Sequence, residues 1–63
     1  MNKAIKKIMK EIPPGTRMRL QDDYPETVHE VSGYTVDDTG AYIRFADGRM
    51  LNIARRKLIT EIL

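Results

Sequence analysis

His29 is the single imidazole in the chain, and Glu30 beside it, with Asp22 and Asp23 upstream, makes it the first candidate for a general base or a metal ligand. A zinc site needs further nitrogen or sulfur ligands, and there is no second histidine and no cysteine. His29 is therefore expected to be an ordinary strand residue. The carboxylate pairs Asp22-Asp23 and Asp37-Asp38 suggest calcium or magnesium, which take oxygen ligands. Neither pair has the alternating spacing of an EF-hand loop, and aspartate is favoured in turns because its side chain bonds nearby backbone. Turn chemistry is the expectation for both. No glycine-rich phosphate loop precedes a helix, and no serine or threonine has a recognisable base partner. Neither catalytic residue, metal, cofactor nor small-molecule substrate is inferred, and the chain is expected not to be an enzyme.

What remains is recognition by a surface. Tyr42 stands beside Arg44, and an aromatic ring next to a guanidinium can stack a base while the arginine holds a phosphate. Arg17, Arg19, Arg49, Arg55, Arg56 and Lys57 extend the basic set. The first expectation is thus a weak, largely sequence-independent nucleic-acid-binding accessory module for DNA or RNA, with these residues on phosphates. The alternative is a protein-interaction adaptor, a homodimer or a small inhibitor. It would use the N-terminal stripe of Ile5, Ile8 and Met9, or a groove lined by Tyr24-Pro25 and the acidic loop. A third reading gives Tyr42 only the task of shielding a sheet edge and the arginines that of solubilising it. Arginines of the first, third and fourth strands converging on one face would favour nucleic acid. Interleaving with Asp37, Asp38 and Glu30 would favour the others.

Length and charge set the frame. Sixty-three residues allow one small domain, residues 1–63, with a helix over 1–12 and strands over 14–63. The absence of cysteine suits a reducing compartment. Lys3, Lys6, Lys7 and Lys10 interrupt the N-terminus, so no secretory apolar region or membrane span is expected, and the reading is cytoplasmic. Eleven Lys and Arg against nine Asp and Glu give a formal charge of only +2, arranged as basic, acidic and basic thirds.

The elements that must position these groups follow from periodicity. Ala4, Ile5, Ile8, Met9 and Ile12 share one helical face, with Asn2 as a candidate N-cap and Pro13 as the stop. A helix this short needs something to rest on, first its own sheet and otherwise a partner. Beyond Pro13-Pro14-Gly15 the period falls to two. Thr16, Met18 and Leu20 alternate with Arg17 and Arg19 as a half-buried strand. A longer strand, 27–36, slips in phase at Ser32-Gly33, placing Val31 on one side and Tyr34 and Val36 on the other. Asp37–Gly40 and Asp47-Gly48 are hairpin turns; Ala41, Ile43, Phe45, Leu51 and Ile53 face inward, Tyr42 and Arg44 outward. Residues 54–63 read either as a one-turn connector and a last strand from Ile59 to Leu63, or as a short helix capped by Asn52. Isoleucine and threonine favour the strand, as does the need to cover the first strand's edge. The expected fold is mainly β: a small five-stranded antiparallel barrel after a short amphipathic helix, or alternatively a four-stranded meander with a helix at each end.

This arrangement resembles an SH3-like barrel, and in particular a small uncharacterised family of bacterial SH3-like proteins found in Gram-positive bacteria and their mobile elements. The residues carrying the likeness are Pro14, Gly15, Thr16, Arg17 and Leu20; Asp22, Asp23, Tyr24 and Pro25; Val31, Gly33, Val36, Asp37, Asp38 and Gly40; and Ile43, Phe45, Asp47, Gly48, Leu51, Asn52 and Ile53. Two features depart from the family pattern: the acidic loop is short, and Tyr34-Thr35 lengthens the second strand. The resemblance implies a fold and brings no activity with it.

Overall fold

Apolar residues spaced by four, then by two, fold as a helix followed by strands. The computed structural model describes residues 3–21, 24 and 26–63. Helix α1 spans Lys3–Glu11 and turns Ile5 and Ile8 inward, at 5 % and 3 % exposure, while Met9 stays 38 % exposed. The candidate cap Asn2 lies outside the described residues. Pro13 has no N–H to continue the helix, and the released Ile12 carbonyl is met by the Tyr34 hydroxyl. Burial raises the pKa of that hydroxyl, which keeps it a donor. Thr16 then closes the Pro-Pro-Gly turn, its backbone N–H and hydroxyl donating to the Pro13 carbonyl at 3.1 and 2.6 Å.

Five antiparallel strands follow: β1 Arg17–Leu20, β2 His29–Asp37, β3 Gly40–Phe45, β4 Met50–Asn52 and β5 Ile59–Ile62. They form one sheet in the order β4-β3-β2-β1-β5. Strand β2 is shared. Its first residues pair with β1, as Met18 with His29, and its remainder pairs with β3 from Val31↔Phe45 to Asp37↔Gly40. The register shifts between Val31 and Gly33, where the bulge was expected. Simple alternation would put Val31 and Tyr34 on opposite sides, and the bulge corrects this: Val31 is 1 % exposed and Tyr34 packs against the same core, while Val36 is 52 % exposed.

The core contains Ile8, Ile12, Met18, Leu20, Val31, Ile43, Phe45 and Leu51, so α1 and all strands but β5 contribute buried side chains. The inward expectation for Ala41, Ile43, Phe45 and Leu51 holds, and Ile53 is half-buried against the cluster.

The two readings of residues 54–63 are resolved in favour of the strand. Asn52 does cap a helical segment, its Oδ1 accepting the Ala54 N–H at 2.9 Å. That segment is only a 3-10 connector, Ile53–Leu58, broken at Arg55 by φ −107° and ψ 28°. The chain then lies along β1, pairing Leu20 with Ile59 and Met18 with Ile62, and Gln21 N–H donates to the Leu58 carbonyl at 2.8 Å. The meander with a helix at each end is thereby overturned, because the open edge of β1 offers more backbone partners than another helical turn would. Strands β4 and β5 end the order and are joined through the connector, so the sheet is not closed. No described helix is long and apolar enough to cross a membrane.

Candidate nucleic-acid interface

The β3–β4 hairpin and the connector enclose a groove of about 370 Å³, near the lower end of the roughly 300–1,000 Å³ range of ligand clefts. Leu20, Leu51 and Leu58 form its apolar side; Tyr42, Arg49, Met50, Asn52 and Arg55 form the rest. Strand register puts Tyr42, Met50 and Asn52 side by side in it. Tyr42 pairs with Asn52 and Arg44 with Met50, so these four side chains share one face while Ile43 and Leu51 share the buried one. The Asp47-Gly48 turn sets Arg49 at the head of β4. Gly48 has φ 92°, a conformation glycine adopts without strain, and Arg49 N–H donates to Asp47 Oδ1 at 2.9 Å. The Tyr42 hydroxyl is hydrogen-bonded to Thr39 Oγ1, which steadies the ring. None of the described residues lining this groove is acidic.

The three consecutive basic residues go separate ways, as successive residues of a 3-10 turn point about 120° apart. Arg55 lines the groove. Arg56 pairs instead with Glu11 at 2.6 Å, fastening the connector to α1. Lys57 is exposed and makes no ion pair among the described residues.

The other expected phosphate ligands are dispersed. Arg19 pairs with Glu61 of β5 at 3.0 Å, and Arg17 lies opposite Glu30 across β1 and β2. The Arg44 side chain lies flat over Gly33, where an added Cβ would meet its terminal nitrogen at 3.0 Å. Of eight candidates, then, Tyr42, Arg49 and Arg55 come together, whereas the first-strand arginines are interleaved with acids, Glu30 among them, and do not join one basic face. Met50 and Asn52 are groove residues that neither charge nor aromaticity marks in the sequence. Their alternation with Leu51 was the available signal.

Of the two adaptor surfaces, the N-terminal stripe is largely covered by the protein itself, and the groove at Tyr24-Pro25 and the acidic loop lies mostly outside the described residues. Ile5 and Ile8, expected to be open to a partner under that reading, are buried because the helix rests on its own sheet. Met9 and Tyr24 remain, at 38 % and 78 % exposure. A second depression, about 400 Å³ along β5, is lined by Arg56, Ile59, Thr60, Glu61 and Ile62, and both of its charged residues are already paired within the chain.

His29 is more than a strand residue with nothing to do. It is 2 % exposed, its ring stacks at a tilt on Phe45 with centroids 5.2 Å apart, and Nδ1 lies 2.8 Å from Asp47 Oδ2. This ties the start of β2 to the turn that carries Arg49. The Arg49 backbone N–H first, and then the His29 imidazole, hold the Asp47 carboxyl below its ordinary value of 3.8. A depressed folded value means that Asp47 stabilises the fold fully above the ordinary value and loses this effect as pH falls through the folded one. Asp47→Asn should accordingly lower the melting temperature at neutral pH, with the gap to wild type closing in acid; a gap that persists there would contradict the assignment. Asp37 behaves likewise through Thr39, whose hydroxyl and N–H donate to its Oδ1 at 2.6 and 2.8 Å, the turn chemistry expected of it. The Asp22-Asp23 pair lies outside the described residues.

Comparison with protein-family models, with curated proteins and with solved structures finds no match for this chain.

Proposed function

We propose that this chain is a non-enzymatic binding module, an open variant of the SH3-like barrel, that holds single-stranded DNA or RNA in the groove between Tyr42 and Arg55. The observation that carries this reading is the meeting of Tyr42, Arg49 and Arg55 in the lining of one groove. An unpaired base stacks on the half-buried ring, and the guanidinium groups take the flanking phosphates. A duplex keeps its bases stacked inside, so the single strand is the form that can use Tyr42. The likeness to bacterial SH3-like proteins supports the architecture and carries no activity.

Binding of this kind is weak, with Kd on the order of 10⁻⁴–10⁻⁶ M, and falls with salt. Two phosphate contacts, from Arg49 and Arg55, correspond to a slope of about −1.4 in log K against log salt, or about a seven-fold loss over a four-fold rise in salt. Fluorescence anisotropy of a labelled single-stranded oligonucleotide, titrated at low and raised salt, measures both quantities. A duplex of the same length should bind less tightly. No change in anisotropy at low salt would remove the reading.

A further inference from the structure

The Asn52 amide is the remaining polar group of the groove, and one of its ends is already committed. Its Oδ1 accepts the Ala54 backbone N–H at 2.9 Å. Only the oxygen end can meet an N–H, so this bond fixes which way the amide points. Nδ2 is thereby turned toward Gly40, where the missing side chain leaves it room: an added Cβ would lie 3.3 Å away. Among the described residues Nδ2 makes no hydrogen bond, and it is not sealed from solvent. Asn52 is the cross-strand partner of Tyr42, so ring and donor stand side by side on the same face.

We propose that Asn52 Nδ2 donates to the exocyclic group of the base stacked on Tyr42, so that the groove takes keto bases in preference to amino bases. This rests on the nucleic-acid reading given above. Thymine and uracil present O4 as an acceptor where cytosine presents an amino donor, and guanine O6 differs from adenine N6 in the same sense. A second donor facing Nδ2 leaves both groups unpaired, and an unmade bond at a confined site costs more than a made one contributes. Because Oδ1 is held by Ala54, the amide cannot flip to accept from an amino group without giving up its cap.

The test compares labelled oligothymidylate with oligodeoxycytidylate of equal length at neutral pH and low salt. Their charge is equal and both are pyrimidines, so phosphate contacts largely cancel in the ratio. The wild-type protein should bind the thymine strand about three- to ten-fold more tightly, the size of one net hydrogen bond. Asn52→Ser keeps a capping oxygen and removes the donor, and should bring the ratio to about one. Asn52→Asp keeps the cap and faces the base with an acceptor, and should favour cytosine while weakening both complexes through its charge. Equal wild-type affinities, with binding that still depends on salt and Tyr42, would overturn the Asn52 assignment and leave the groove reading intact. An undiminished thymine preference in a folded Asn52→Ser protein would overturn it too. Absence of binding to either strand would overturn both.

Discussion

Ile8→Asp is expected to unfold the protein. Ile8 is 3 % exposed and sits in the core with Ile12, Met18 and Phe45. Losing its burial costs about 1.5–3 kcal/mol, and an unpaired carboxylate in its place costs several kcal/mol more or is forced to protonate. At about 0.05–0.15 kcal/mol per residue, a chain of this size has about 3–9 kcal/mol in all. The two costs together reach that total. Circular dichroism on Ile8→Asp should show no cooperative thermal transition, whereas Lys7→Asp, on the exposed side of α1, should keep one. The experiment also separates the two roles open to the helix. A folded Ile8→Asp protein would mean that α1 is detachable, and its stripe would again be a surface for a partner.

The largest expected effect on binding belongs to Tyr42 and Arg55. Tyr42→Ala removes the stacking surface, worth about 1–3 kcal/mol per base, and should weaken oligonucleotide binding about five- to 150-fold. Tyr42→Phe keeps the ring and should bind nearly as wild type, at the cost only of the bond to Thr39. Arg55→Glu reverses a charge inside the groove and should both weaken binding and flatten the salt dependence by about 0.7 in slope. Arg56 is the internal control, one residue away. Its guanidinium is engaged with Glu11, so Arg56→Glu should change oligonucleotide affinity much less than Arg55→Glu. Equal losses from the two variants would point to net charge rather than to the groove.

How much of this could be read from residues alone depended on the range of the interaction involved. The hairpins were legible because Asp37–Gly40 and Asp47-Gly48 are local turn chemistry, and β3 because Ala41, Ile43 and Phe45 alternate strictly. The last ten residues were ambiguous because Leu58, Ile59, Ile62 and Leu63 suit either period. The deciding partner, the edge of β1, lies some forty positions earlier. His29 is the strand residue expected, but its partner was hidden for the same reason. Its neighbours in sequence are Asp22, Asp23 and Glu30, but the carboxylate that meets it is Asp47, carried in by the β3–β4 turn. Arg55, Arg56 and Lys57 are contiguous in sequence, yet where each points depends on the connector that joins β4 to β5. Expectations from charge likewise overlooked Asn52, whose value to the groove comes from a cap that leaves only its donor exposed.

Under the proposed function, one face of the β3–β4 hairpin, completed by Arg55, holds a single strand. Nuclear magnetic resonance of the isotope-labelled protein, titrated with an oligothymidylate at low salt, tests it most directly. The amide shifts that move should cluster at Tyr42, Arg49 to Asn52 and Arg55, while those of α1 and β5 stay in place. Movement confined to the lysines of α1 or to β5, or no movement at all, would contradict it.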